Sequence, residues 1–207
     1  VGEVDVDTLG DYVLTYNYSD SSGNAAAQVT RTVSVVDSAA PIITLNGSDP
    51  LQHEAGTTFL DPGAVSNDAQ DGSKDLTGTG SVEASVLGTY VLTYEDTDSS
   101  GNAAIAVTRE VNVVDTIAPI ISLGDGVDVD LTVEAGVAYE DVPPGVSDSF
   151  DTSVTVETLG QVDTSQLGIY TLTYSASDAS GNPADVVLRT VTVVDTTAPI
   201  ITLNGEP

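Results

Sequence analysis

In Tyr90-Val-Leu-Thr-Tyr94 the large residues at 90, 92 and 94 share one face of an extended chain, because strand side chains alternate. Ala106-Val-Thr-Arg-Glu-Val-Asn-Val-Val114 alternates β-branched with polar residues, and Val127, Val129, Leu131 and Val133 alternate with Asp128, Asp130, Thr132 and Glu134. No segment sustains a helical period. Asp-Ser-Ser-Gly-Asn lies between two such runs and carries turn chemistry, since Asp bonds the nearby backbone and Gly tolerates positive φ. The pattern predicts an all-β chain of short strands.

The runs recur. VVDSAAPII (Val35–Ile43), VVDTIAPII (Val113–Ile121) and VVDTTAPII (Val193–Ile201) are nearly one phrase, with Pro41 and Pro119 separated by 78 residues and Pro119 and Pro199 by 80. LGDYVLTY (Leu9–Tyr16), LGTYVLTY (Leu87–Tyr94) and LGIYTLTY (Leu167–Tyr174) keep step, as do the Asp-x-Ser-Gly-Asn turns at 20–24, 98–102 and 178–182. HEAGTTFLDPGAVSND (His53–Asp68) matches VEAGVAYEDVPPGVSD (Val133–Asp148). The expected division is the C-terminal half of a repeat (1–37), two whole repeats (38–115 and 116–195) and the start of another (196–207). The chain thus reads as a window in a longer array. A sharper alternative lets the two partial repeats complete each other between identical chains, as a donated strand does in a fibre.

Short strands in a unit of about 80 residues indicate an antiparallel β-sandwich. The Leu-Gly-x-Tyr starts predict tyrosine corners at Tyr12, Tyr90 and Tyr170, with Leu14, Leu92 and Leu172 beside them as core candidates. The linker, about Asp37-Ser-Ala-Ala-Pro41, is short, and proline restrains both itself and its predecessor, so successive sandwiches are expected to stack end to end with little freedom.

The residues APIITLNG…EAGTTFLDPGA…LGTYVLTYEDTDSSGNAAIAVTREVNVVD resemble the bacterial immunoglobulin-like surface-protein domain, which is similar to hyaline-type repeats and, more distantly, to cadherin and polycystic-kidney-disease modules. The resemblance covers both whole repeats and both partial ones. It implies tandem immunoglobulin-like sandwiches in a large exported or surface-anchored bacterial protein, or beside the catalytic domain of a secreted enzyme.

Charge sharpens the functional expectation. The chain has 32 acidic and 4 basic residues, a formal charge of −28. That argues against nucleic acid and anionic lipid as partners, which need Lys and Arg. It fits an extracellular setting where salt screens the charge or divalent cations neutralise it. No run is long and apolar enough for direct membrane insertion, and the first residues lack the pattern of a signal peptide, so an export signal would lie outside this chain. There is no cysteine to rigidify the repeats, and Lys74 is the only lysine, which excludes lysine crosslinks as a general device.

In an immunoglobulin-like sandwich the last hairpin lies at the same end as the N-terminus. Asp98 and Asn102 should therefore lie near Asp37, and Asp178 and Asn182 near Asp115. The loops carrying Asp61, Asp68 and Asp71, and Asp141, Asp148 and Asp151, reach toward the same end in this reading. The candidate calcium ligands are Asp37, Asp61, Asp68, Asp98, Asn102, Asp115, Asp141, Asp148, Asp178 and Asn182, because Ca²⁺ takes six to eight oxygens. Cadherin-like modules stiffen junctions in this way, so the resemblance favours the site. The bland alternative is that Asp20, Asp98 and Asp178 cap turns, Asp37, Asp115 and Asp195 cap linkers, and the rest form a solvated surface. No EF-hand loop is present: Asn67-Asp-Ala-Gln-Asp-Gly72 has Ala69 where a ligand is needed.

Catalysis finds little support. His53, the only histidine, is matched by Val133 in the next repeat, and His-based triads, thiol nucleophiles and zinc sites lack their residues. The expected role is a structural spacer of an adhesin-like protein, contacting neighbouring repeats, with calcium as the candidate that stiffens its junctions. Rival readings are a subunit of an extracellular filament made of identical chains, and a carbohydrate-binding accessory of a secreted enzyme. The second rival suffers from an aromatic content of only 5%.

Overall fold

A computed structural model describes residues 2–124, 129–202, 204 and 205. Its strands are β1 (Gly10–Tyr16), β2 (Val29–Val35), β3 (Ile42–Leu45), β4 (Leu51–Glu54), β5 (Ala64–Asp68), β6 (Gly72–Leu76), β7 (Gly88–Tyr94), β8 (Val107–Val114), β9 (Ile120–Ser122), β10 (Asp130–Glu134), β11 (Gly145–Ser147), β12 (Val156–Leu159), β13 (Gly168–Ala176) and β14 (Val187–Val194). No helix occurs among the described residues, so none is long and apolar enough to cross a membrane. Of the alternating segment that begins at Val127, Val127 and Asp128 lie outside the described residues.

The first whole repeat carries one sheet in the order β3-β5-β6 and another in the order β4-β8-β7. Ile43 and Ala64 from the first meet Leu92, Tyr94 and Val111 from the second in one buried core. The second repeat repeats the plan with β11-β9 and β10-β14-β13-β12, and its core joins Ile121 to Leu172, Tyr174 and Ala176. These are immunoglobulin-like β-sandwiches. One pairing departs from the antiparallel expectation: β10 runs parallel to β14, with Leu131 opposite Val191. Strands so far apart in sequence are free of the hairpin constraint that forces antiparallel neighbours. The repeats also differ at β12, which pairs with β13, whereas in the first repeat that contact shrinks to the bridge Thr79–Thr93 and β6 pairs with β5 instead.

By compactness the chain divides into Val1–Gln52, Phe59–Glu83 and Gly88–Asn112 on one hand, and His53–Thr58, Ala84–Leu87 and Val113–Pro207 on the other. Within the second unit the Ala55 N–H donates to the Val114 carbonyl and the Gly56 N–H to the Ala84 carbonyl, which ties those short segments to the linker strand.

The tyrosine corners form at Tyr12, whose hydroxyl donates to the Thr8 carbonyl at 2.8 Å, and at Tyr170, which donates to the Gln166 carbonyl at 3.1 Å. The deepest aromatic residues are Tyr94 and Tyr174, both fully buried. Each faces a fully buried arginine in the same sandwich. The Arg109 guanidinium lies 5.7 Å from the Tyr94 ring centroid, reaches Asp61 at 3.5 Å and donates to the Asn46 and Gly63 carbonyls at 2.5 and 3.3 Å. Arg189 lies 5.4 Å from the Tyr174 ring, pairs with Asp141 and donates to the Val142 carbonyl at 2.9 Å. Gly63 makes the first arrangement fit: its φ is +75°, and a Cβ there would lie 2.7 Å from the Leu76 carbonyl oxygen.

In the N-terminal half-repeat β1 pairs with β2 in the register of β13 with β14, placing Arg31 opposite Leu14 as Arg189 stands opposite Leu172. There Arg31 is exposed and Tyr16 is 49% exposed. The contrast isolates what burial contributes. Asp141→Ala leaves the Arg189 charge buried without its carboxylate, and urea unfolding is expected to show a loss of about 3 kcal/mol or more. Arg31→Ala is expected to change stability by less than about 0.5 kcal/mol. Similar losses in the two variants would contradict the network.

Candidate metal centre

Each linker aspartate is drawn against the hairpin of the repeat that follows it. The local cause is the Asp-x-Ser-Gly-Asn turn. Asp98 Oδ1 accepts the N–H groups of Ser100 and Asn102 at 3.0 and 2.7 Å, and Oδ2 accepts the Asn102 amide at 2.7 Å. So held, Asn102 donates from Nδ2 to the Asp37 carbonyl at 3.3 Å. The second junction is built alike: Asp178 accepts from Asn182, and Asn182 Nδ2 donates to the Asp115 carbonyl at 3.1 Å. The capping role read from the sequence is therefore present, and these residues also position the linker.

The result is two acidic clusters. Asp37, Asp68 and Asp98 offer carboxylate oxygens that all lie within 4.8 Å of one another, and so do Asp115, Asp151 and Asp178. Each cluster lies within one compact unit. Asp68, Asp115 and Asp178 are buried. Asp37 Oδ2 exposes less than 1 Å² and has no hydrogen-bond partner, although Oδ1 accepts the Ala39 N–H at 3.1 Å. Burial pushes the Asp98 carboxyl up, but the bonds from Asn102, Ser100 and Gly101 outweigh it and hold the group below the usual carboxylate range. The same balance holds Asp178 low. Carboxylates brought this close repel one another when ionised.

Two of the sequence candidates belong elsewhere. Asp61 and Asp141 do not join the clusters. Asp61 Oδ1 accepts the Tyr94 hydroxyl at 2.5 Å and the Gly63 N–H at 3.0 Å, while Oδ2 accepts the Gly78 N–H at 2.8 Å. Asp141 accepts from Tyr139 at 3.0 Å, from Tyr174 at 2.7 Å and from Arg189. Asp61 through both oxygens, and Asp141 through Oδ1, anchor the core tyrosines and arginines. Burial, reinforced by Asp61, pushes the Tyr94 hydroxyl up to about 12. Asp148 is not among the three members of its cluster. Its Oδ1 caps the turn by accepting the Phe150 and Asp151 N–H groups, both at 2.8 Å, and its Oδ2 is buried without a partner.

Other contributors were not singled out from sequence. Asp151 is a cluster member. Arg109 and Arg189 were legible as inward positions, in step with Val107, Val111 and Val113 and with Val187, Val191 and Val193. Glu54 and Glu134 of the Glu-Ala-Gly motif grip the linker behind each repeat. Glu54 accepts the Thr116 N–H at 2.9 Å and its hydroxyl at 2.7 Å, and Glu134 does the same with Thr196 at 2.7 and 2.8 Å. The recurrence of Glu-Ala-Gly ahead of each Val-Val-Asp-Thr was the available signal.

The family model described as bacterial surface protein, Ig-like domain, matches residues 1–35, 43–113 and 126–193. The chain is 33% identical over 214 residues to hyalin of Lytechinus variegatus, across 95% of this chain and 39% of that protein. It is 30% identical over 212 residues to hyalin of Strongylocentrotus purpuratus, across 96% of this chain and 18% of that one. Among solved structures, Drosophila N-cadherin EC1-3 is similar at a TM-score of 0.27 and 15% identity, across 93% of this chain and 80% of that chain. The chain spans well under half the length of the curated relatives it matches.

The glutamate grip has a pH signature. The Thr116 N–H and hydroxyl hold Glu54 below its ordinary value of 4.5, and the Thr196 hydroxyl and N–H do so for Glu134. A depressed folded value contributes stability that is complete above 4.5 and is lost as pH falls through the lower folded value. Glu54→Gln is therefore expected to lower the melting temperature at about pH 7 and to converge on the wild type at about pH 3. A difference that does not change with pH would contradict the assignment.

Proposed function

The chain belongs to the bacterial surface protein Ig-like domain family, and from that premise we propose that it is a non-catalytic spacer array of a surface or secreted protein, with calcium bound at its linkers. The observation that carries the reading is the recurrence of one junction. At both linkers an aspartate carbonyl accepts from the hairpin asparagine, and the same aspartate's carboxylate enters a three-carboxylate cluster.

The donor set fits a hard cation. Calcium holds oxygens at about 2.3–2.6 Å, so two ligands on opposite sides of one ion lie up to about 4.6–5.2 Å apart. The carboxylate oxygens of each cluster lie within 4.8 Å of one another, close enough to share one such ion. The buried Asp37 Oδ2, without a donor, supports the same reading. The linker carbonyl that already points at Asn102 or Asn182, and water, would complete six to eight oxygens. The ligands are all oxygen, and neither cluster includes the one histidine, which disfavours zinc and copper. Magnesium would keep several of its waters and demand near-octahedral geometry.

The bound ion would relieve carboxylate repulsion and hold the linker aspartate to the hairpin and loop of the next repeat. The proline-restrained linker then loses conformational freedom. A spacer needs that property and no cleft.

Thermal unfolding tests this reading. Millimolar calcium at fixed ionic strength is expected to raise the melting temperature by several degrees, since a ligand at about a hundredfold over its Kd adds about 2.7 kcal/mol. Equimolar magnesium should do much less. Asp115→Ala should lose most of the increment while melting close to the wild type in chelator. An equal loss in calcium and chelator would leave Asp115 as a linker cap only.

A further inference from the structure

An open cavity of about 290 Å³ borders the arginine network of the second repeat. Tyr139, Asp141, Thr158 and Gln161 give it polar groups, and Val162 and Leu172 give it apolar surface.

Comparison with the first repeat shows how the sequence opens it. By the 80-residue period Thr158 corresponds to Gly78. Gly78 is pressed onto the core: a Cβ there would lie 2.9 Å from the Leu92 Cβ and 3.1 Å from the Tyr94 Cζ. So seated, its N–H reaches Asp61 Oδ2 at 2.8 Å and closes that carboxylate. Thr158 carries a Cβ, so its backbone cannot approach Leu172 and Tyr174 as closely. The donors to Asp141 among the described residues, Tyr139, Tyr174 and Arg189, all go to Oδ1. The Asp141 side chain accordingly stays 22% exposed, against 13% for Asp61. The other polar groups change in step, since Tyr139 and Gln161 correspond to Phe59 and Ser81. The repeat that leaves a carboxylate oxygen open thus also places a phenol, a hydroxyl and a carboxamide around it.

These groups select against ions. Arg189 pairs with Asp141, so the pair offers a cation no net charge, and the formal charge of −28 repels anions. A neutral ligand rich in hydroxyls fits. Its O–H groups can donate to Asp141 Oδ2 and exchange hydrogen bonds with Thr158 and Gln161, while a C–H face lies on Val162 and Leu172. A sugar ring has this chemistry. The volume is at the lower end of small-molecule sites, which span about 300–1,000 Å³, so it suits one ring and not a chain.

We propose that this cavity binds one ring of a neutral saccharide, with Asp141 Oδ2 as the acceptor for its hydroxyls and Thr158 and Gln161 as the groups that orient it. The site is separate from the linker carboxylates and independent of calcium. It recognises the ring by hydrogen bonds within a cavity, so it needs no platform of exposed aromatics.

Two-dimensional amide NMR spectra of the whole chain, titrated with the methyl glycosides of glucose, galactose, mannose and N-acetylglucosamine, test the proposal. At least one glycoside should shift the Thr158, Gly160 and Gln161 amides with a Kd in the millimolar range, the scale for a ligand of about a dozen non-hydrogen atoms. The Gly78, Gly80 and Ser81 amides serve as the internal reference and should stay in place. Thr158→Val combined with Gln161→Ala should weaken binding about tenfold or more, the scale of two lost hydrogen bonds. Both positions are exposed, and an otherwise unchanged spectrum reports that the double variant is folded. Equal shifts in the two repeats, equal shifts with glycerol, or a Kd that ignores the double variant would overturn the site. So would four glycosides that shift nothing at concentrations well above the millimolar range.

Discussion

Arg109 and Arg189 lie inside their sandwiches, where an ion stripped of water costs several kcal/mol unless it is fully answered. Each is answered in large part by one aspartate, by backbone carbonyl oxygen and by the face of a buried tyrosine, while Arg109 Nε and Arg189 Nε and Nη2 have no hydrogen-bond partner. The sandwich depends on this interaction. It pins the Asp61 or Asp141 loop of one sheet to the last strand of the other, and with it the chain that goes on to Asp68 or Asp148. In a protein of 32 acidic and 4 basic residues, three of those four basic groups are the arginines at this repeated position. Positive charge is spent on the core, and the linkers receive almost none.

That allocation explains why acids of similar sequence context have opposite roles. Asp61 and Asp141 meet an arginine and a tyrosine. The acids a few residues further along meet backbone N–H groups and one another. The Asn102 and Asn182 side-chain amides, with backbone N–H groups, hold Asp98 and Asp178 below the usual carboxylate range, yet they do not cancel the repulsion within a cluster. A divalent cation bound as proposed would supply what the chain withholds. At the Asp115 linker the Glu54 grip on Thr116 acts from the preceding repeat and the carboxylates of Asp151 and Asp178 come from the following one, so that linker is approached from both sides.

Much of this was legible in the sequence. Alternation at 90, 92 and 94 gave the inward face, and the 78- and 80-residue periods gave the repeat. The topology of an immunoglobulin-like sandwich was enough to bring Asp98 to Asp37 and Asp178 to Asp115. What stayed hidden was side-chain competition. Asp61 looks like any loop acid until Arg109 is seen to be buried. The parallel pairing of β10 with β14 was also out of reach, because no local pattern specifies the direction of a distant partner.

The central claim is that the linker carboxylates are ligands. A crystal structure of the chain grown in millimolar calcium, with anomalous data to identify the ion, tests it most directly. The account predicts a peak at Asp115, Asp151 and Asp178, and another at Asp37, Asp68 and Asp98, each surrounded by carboxylate oxygens at about 2.3–2.6 Å. Carboxylates that keep their hydrogen bonds around water, with no anomalous peak at either cluster, would contradict it.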